Sequence, residues 1–301
     1  MSTLTIFVLC HNRPDFARET LRSILKQSDQ DFKLVISDNS SNDEVEQMVK
    51  NDFPQLDYRR RFPMLRAIEH FNLCMDEVNT DYFCLFHDDD VMLPDFVLRT
   101  KSVLDQHQKA LACGCNALLE KPAGIQSRAM FRAIGKLEWI VSPRDLARRY
   151  FARAQSGIAP FPGYVYRTSM VDGLRMDAEG GKHCDVTWLL NIVKKGHMVW
   201  IAEPLMIYRV HGGNDSGVEL LRDQLRFMGF LKQQLGLIGQ DVLTDFRRSR
   251  IYKPILNNEL SSSFRRKHAS NFLKHYSRLR YTNIHTYGAL IHHALVKLVT
   301  K

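Results

Sequence analysis

Residues 86–94 read Phe-His-Asp-Asp-Asp-Val-Met-Leu-Pro, so a histidine and three consecutive carboxylates directly follow the apolar run 82–86. Three adjacent acids at the end of a buried strand repel one another, and the arrangement is costly unless positive charge sits beside it. A divalent cation is the natural candidate, because hard oxygen donors suit magnesium or manganese. The plainer alternative is a turn whose acids cap the next helix, since aspartate is common in both settings.

Other polar groups follow apolar runs in the same way. His11-Asn12-Arg13-Pro14 closes the run 4–10, and Asp38-Asn39-Ser40-Ser41 closes the run 32–37. Further on, Gly180-Gly181-Lys182-His183-Cys184-Asp185 opens an amphipathic stretch stopped by Gly196, and Tyr208-Arg209-Val210-His211 ends a late apolar run. Helical spacing over 15–26, 43–50 and 65–78 separates strands predicted at 4–10, 32–37, 57–61 and 82–86. Strands are also expected at 111–119, 197–201 and 203–211, with helices at 142–150 and 186–195, and a rigid loop over 159–163 precedes Tyr164-Val165-Tyr166. Unbroken apolar strands alternating with helices predict an α/β fold whose sheet is mostly parallel and covered by helices on both faces. Ligands of such sheets bind beyond the carboxyl ends of the strands, where these polar groups fall.

The 301 residues carry a formal charge of +9, unevenly spread. Residues 219–301 hold 15 Lys+Arg against 5 Asp+Glu, whereas residues 1–218 hold 27 against 28. Helices are expected at 220–235, 242–252, 261–280 and 287–299, so the tail reads as a basic helical extension. It suits an anionic partner, a membrane surface or a polyanion, or else is a solvated face. The six cysteines, among them Cys10 and Cys84 in apolar runs, read as free thiols of a reducing cytosol. No signal-peptide layout opens the chain, and no run of 18 apolar residues is present, so the expected location is the cytoplasm, or peripherally the inner face of a membrane.

The ordered succession of these groups resembles an inverting nucleotide-sugar glycosyltransferase of family 2, with the GT-A fold. Asn12-Arg13-Pro14 looks like that family's opening, and residues 35–41 resemble its second-strand motif. Residues 86–94 resemble its metal-binding aspartate motif with the following proline. Cys184-Asp185 with Trp188 and Leu189 resembles the acid pair opening the acceptor-side helix, and Tyr208-Arg209-Val210-His211 its late histidine segment. The resemblance covers residues 1–217, divided at 110 into a nucleotide-binding and an acceptor-side half, and leaves 218–301 as the extension. It implies transfer of a sugar from a nucleotide-diphosphate donor to a glycan or lipid-linked acceptor, in surface polysaccharide synthesis, with Mn2+ or Mg2+. Asn12, Arg13, Asp38, Asn39, His87 and Asp88 would hold the donor, Asp89 and His211 the metal, and Asp185 would be the base. Two departures stand out: His87 occupies the place of the motif's first aspartate, and Cys184 that of the acid before Asp185.

Two other readings compete. A nucleotidyltransferase would carry a glycine-rich, lysine-bearing loop after the first strand, where Asn12-Arg13-Pro14 stands instead. A polyanion- or nucleic-acid-binding protein led by the basic tail would leave the strand-end acids unexplained, and no nucleic-acid partner is expected. No Gly-x-Gly-x-x-Gly follows the first strand, which argues against a dehydrogenase.

Overall fold

The computed structural model describes residues 2–133, 135–151, 161–212, 221–247 and 250. They belong to two compact units, Met1–Gly239 and Gln240–Lys301. The first unit opens with strict alternation: β1 (Leu4–Cys10), α1 (Pro14–Ile24), β2 (Lys33–Asp38), α2 (Glu44–Asp52), β3 (Asp57–Arg60), α3 (Ala67–Asp76) and β4 (Tyr82–His87). A short β5 (Val91–Met92) and α4 (Phe96–Gln106) follow, then β6 (Ala110–Lys121), β7 (Gly124–Ala129), β8 (Leu137–Ile140) and α5 (Pro143–Phe151). The unit closes with β9 (Tyr164–Arg167), α6 (Thr168–Val171), α7 (Cys184–Lys195), β10 (His197–Arg209), α8 (Leu221–Gln233) and α9 (Leu235–Ile238). In the second unit α10 (Gln240–Phe246) is described; the basic helices expected at 261–280 and 287–299 lie outside the described residues.

The strands form one sheet in the order β3-β2-β1-β4-β9-β6-β10-β5, with β7 on β6 and β8 on β10. β3, β2, β1 and β4 run parallel, as do β6 and β10. β9 enters antiparallel between β4 and β6 and joins the two parallel blocks. All seven residues of β1 are buried, which requires cover on both faces of the sheet. Ile6, Val8, Ile36, Cys84, Phe86 and Val165 share one core. Phe86 meets Phe96 edge-on at 6.1 Å, tying the acid-bearing strand to α4.

The late region differs from the sequence expectation. The two strands expected at 197–201 and 203–211 are one strand, β10, paired along its length with β6 through register shifts on either side of Pro204. Proline has no N–H for the ladder, so the pairing slips there and continues. The strand ends at Arg209, leaving His211 beyond it.

Beneath the second strand end lies a buried polar knot. Ser37 Oγ accepts from Arg61 Nε at 2.8 Å and from Cys74 Sγ at 3.2 Å. Both lone pairs are then used, so its proton goes to His70 Nε2, 2.7 Å away, and the imidazole is the neutral Nδ1–H tautomer. Arg61 also forms a two-pronged pair with Glu77, at 2.6 and 2.7 Å. Burial, followed by repulsion from Arg61, pushes His70 down to about 4. The unfolded chain therefore takes up a proton that the folded chain refuses. Stability held above pH 6.5 is lost as pH falls from there toward 4. Denaturant melts of wild type and His70→Gln across this window should show a shallower acid-side loss in the variant.

Candidate active site

Three strand ends meet at the site. After β1 the chain turns at Asn12, whose φ of 54° lies in the left-handed region that asparagine tolerates. The turn is fastened to the loop after β2: Asn12 N donates to Ser40 Oγ at 2.8 Å, and Ser41 N donates to Asn12 Oδ1 at 2.9 Å. This brings Arg13 over the loop after β4. Its Nη1 donates to Asp88 Oδ1 at 3.1 Å and to Asp89 Oδ2 at 2.8 Å, while His11 N donates to Asp88 Oδ2 at 2.8 Å.

The three acids are 2%, 5% and 1% exposed, in the order Asp88, Asp89, Asp90. Their backbone is held by Thr20, whose hydroxyl lies 2.8 Å from the Asp88 carbonyl oxygen and 2.6 Å from that of Asp90. Arg209, at the end of β10, braces them from the other side. Its N–H donates to Asp90 Oδ1 at 3.0 Å. Its guanidinium donates to the Asp89 carbonyl, pairs with Glu19, and lies 4.7 Å from the Phe16 ring centroid. Arg209 thus meets a carboxylate.

Burial pushes Asp88 up to about 7, against the pull of the His11 amide and Arg13. Burial, then repulsion from Asp89, raises Asp90 well above the carboxylate range. Asp90 Oδ2 is buried and has no hydrogen-bond partner among the described residues. One ligand atom each from His87, Asp89 and Asp90 lie within 4.8 Å of one another. The expected metal pair, Asp89 and His211, also meets, with His211 Nε2 3.1 Å from Asp89 Oδ2 and the imidazole stacked on Phe16 at 4.4 Å. The converging set, however, is His87 and Asp90 with Asp89.

Asp38 and Asn39 are engaged within the protein. Asp38 Oδ1 accepts from Ser40 N at 2.9 Å, and its Oδ2 accepts from Tyr58 at 2.6 Å and Arg60 at 3.0 Å. Asn39 grips the Leu65 backbone with both ends of its amide, at 2.9 and 2.8 Å. The second strand end is therefore a rigid hub joined to the β3–α3 loop.

Asp185 lies in the first turn of α7. Burial raises its pKa, opposed by attraction to His183, the Val186 amide and His87. Trp188 of α7 meets Tyr166 of β9 edge-on at 5.8 Å, and β9 pairs with β4, so the fold packs α7 on the sheet beside the acid-bearing strand, roughly a hundred residues away in sequence. Burial, then the Asp185 charge, pushes Cys184 up to about 11, so at neutral pH it is a thiol and a poor nucleophile. His87 itself packs against Phe71 at 6.3 Å and Phe161 at 5.7 Å, two rings that also meet each other at 5.7 Å.

A family model for glycosyl transferase family 2 matches residues 5–157, half of the chain. This chain belongs to glycosyl transferase family 2. The matched span includes the β1, β2 and β4 strand ends; Asp185 and His211 lie beyond it. An abequosyltransferase, RfbV, of Salmonella typhimurium is 30% identical over 227 residues, 68% of this chain and 66% of that protein, just under two thirds of the relative's length. Among solved structures, S. aureus TarS 1–349 superposes with a TM-score of 0.63 at 13% identity, over 87% of this chain and 75% of that one. The mannosyltransferase PcManGT from Pyrobaculum calidifontis, solved with GDP-Man and Mn2+, gives 0.54 at 14% identity, over 99% and 87%. The fold of the family 2 chain is thus the expected GT-A fold.

Sequence reasoning overlooked several parts of the site. Glu19, Tyr58, Arg60, Phe71 and Phe161 carry no local signal, because each acts on a group distant in sequence. The role of Thr20 was also hidden, since nothing in α1 marks which face meets the acid loop.

Proposed function

We propose that this chain moves a sugar from a nucleotide-diphosphate donor to a glycan or lipid-linked saccharide acceptor with inversion, in surface polysaccharide synthesis. The observation that carries this reading is the convergence of His87, Asp89 and Asp90 at the end of β4. Domain limits follow the same reading: catalytic residues 1–217, with 1–110 for the nucleotide and 111–217 for the acceptor, then the extension 218–301.

A divalent ion fits the residues present. Asp90 Oδ2 is buried without a hydrogen-bond partner among the described residues, and repulsion among the acids is what added positive charge would relieve. Asp89 would hold Mn2+ or Mg2+ together with His87 and Asp90, with His211 alongside. When bound, the ion supplies positive charge for the leaving diphosphate.

The remaining work falls to the chain. Arg13 brings a second cation to the same place, and Asn12 fixes the turn from which it reaches. Asp38 and Asn39 form the rigid seat for base and ribose, and Asp88 orients Arg13. Asp185 takes the proton of the acceptor hydroxyl as its oxygen bonds to the anomeric carbon. The bond from that carbon to the diphosphate oxygen breaks, and its electron pair leaves with the diphosphate. Attack opposite the leaving group gives inversion. Burial suits Asp185 to the task, because a raised carboxylate pKa makes a stronger base.

A thermal-shift screen of UDP, GDP, CDP and dTDP, each with and without Mn2+, tests the donor reading. One nucleotide is expected to stabilise the fold, by about 2.7 kcal/mol at a hundredfold excess over its Kd. Asp38→Ala should melt cooperatively yet lose that response. No response to any of the four in wild type would refute a nucleotide-diphosphate donor.

No described helix is long and apolar enough to cross a membrane. The basic tail would instead bring the enzyme to an anionic bilayer carrying a lipid-linked acceptor. Flotation should then show the full chain on phosphatidylglycerol vesicles and absent from phosphatidylcholine ones; equal recovery would exclude this role.

A further inference from the structure

We propose that α8, at the start of residues 218–301, belongs to the catalytic machinery: Arg226 and Phe227 clamp the turn that opens α7 and thereby position Asp185. The inference rests on the reading of Asp185 as the base and goes beyond it, since that reading ends the catalytic residues at 217.

Three observations carry it. First, α8 is built as a core element and not as a solvated face. Gln224, Phe227, Met228 and Leu231 recur at helical spacing and are all buried, as is Phe230, whose ring stacks on that of Phe227 at 6.0 Å. The compact unit that holds the strand ends accordingly runs on to Gly239, and Arg144 of α5 ties α9 into it by donating to the Ile238 carbonyl at 3.2 Å. Second, α8 lies against the turn before Asp185. The buried Phe227 ring meets the His183 imidazole at 4.5 Å. Arg226 donates from Nη2 to the Ala178 carbonyl, which also accepts from Gly181 N at 3.0 Å, so both lone pairs of that oxygen are used. Third, the turn fits closely on both sides. Gly181 has a φ of 61°, and a Cβ there would come within 2.9 Å of Arg226 Cδ; one on Gly180 would come within 2.3 Å of Thr187 Cγ2 on α7.

The consequence for Asp185 follows from how a helix begins. The first amides of a helix have no intrahelical partner, so its first turn frays unless it is capped. His183 holds the N-cap position of α7, and among the described residues its side chain makes no capping hydrogen bond. Asp185 lies in that same first turn. The body of α7 is fixed separately, through the buried Val186, Trp188, Leu189 and Ile192. Phe227 packed on His183 and the Arg226 hydrogen bond do at this end what a cap does elsewhere. A misplacement of about 1 Å at a reacting group can lower a rate about 10²-fold, so a clamp outside the reacting centre can still set turnover. Arg226 and Phe227 stand apart in sequence from the ends of β1, β2 and β4, where the donor reading places the nucleotide.

The test uses the full chain and two readouts. Hydrogen exchange followed by mass spectrometry over peptides spanning 178–190 needs no donor. Phe227→Ala and Arg226→Met should speed exchange there by about tenfold or more and leave the peptides of β1, β2 and β4 as in wild type. Release of nucleoside diphosphate from UDP-, GDP-, CDP- and dTDP-sugars, with water as acceptor, reads the chemical step. In Phe227→Ala the release rate at saturating donor should fall by about 10²-fold with KM unchanged. Arg226→Lys, which can still donate to the Ala178 carbonyl, should recover most of what Arg226→Met loses. Exchange over 178–190 at the wild-type rate in both variants would overturn the inference. So would a loss of release accompanied by a loss of the nucleotide thermal shift, because α8 would then serve the whole fold and not the base. Asp185→Asn that releases nucleotide as fast as wild type would remove the base reading and this inference together. A large loss in Asp185→Asn beside unimpaired release in Phe227→Ala would overturn the inference alone. If Phe227→Ala does not melt cooperatively, Phe227→Leu takes its place, filling the core without a ring on His183, with loss of release again the expected result.

Discussion

Asp185→Asn is expected to lower turnover by about 10³-fold, inside the range of roughly 10² to 10⁴ that a positioned general base contributes. The amide keeps the shape of the carboxylate and can still pack at the start of α7, so the fold should survive. What it lacks is a site for the acceptor proton. On the proposed reading the donor is held at the ends of β1, β2 and β4, so the nucleotide thermal shift should persist while transfer disappears. A variant that retains most of its turnover would take Asp185 out of the base role. The neighbouring thiol cannot replace it: Cys184, pushed up to about 11, stays protonated at neutral pH.

The second large effect concerns Arg209. Its side chain, 6% exposed, pairs with Glu19 and reaches the Asp89 carbonyl from a strand that arrives some 120 residues after the acids. Arg209→Met keeps much of the apolar stem over Phe16 but removes the charge that faces Asp90. Asp89 and Asp90 would then be left with Arg13 as the principal guanidinium nearby. Removing one member of a buried charge cluster typically costs about 3–5 kcal/mol, and for a chain of this size that lowers the melting temperature by roughly 6–20 °C. The loss should shrink in acid, where the carboxylates take up protons. A melt within about 1 °C of wild type at neutral pH, a shift worth well under 1 kcal/mol, would show that Arg209 does not hold the loop.

The strands and helices of residues 4–87 were legible because their signals are local. The run 4–10 is the observed β1 to the residue, and Pro14 opens α1 where its missing N–H costs nothing. The polar groups ending β1, β2 and β4 were also visible, since each follows directly on its strand. The later half was less so. β9 carries four residues with no periodic signature, and only the sheet reveals that it lies antiparallel between β4 and β6. Pro204 suggested a new strand, whereas β10 continues through a shifted register against β6.

The sequence by itself determined the chemistry available at the strand ends: three acids and a histidine after β4, an arginine after β1, and an aspartate opening α7. Tertiary structure alone decided which of these share a site and in what role. It joined Asp90 to His87 and Asp89, gave Asp38 to Tyr58 and Arg60, and set Arg209 against Glu19 across 190 residues. The physical reason is that local periodicity reports only which side of an element is buried. Charge pairing, desolvation and ligand geometry depend on which distant element arrives there.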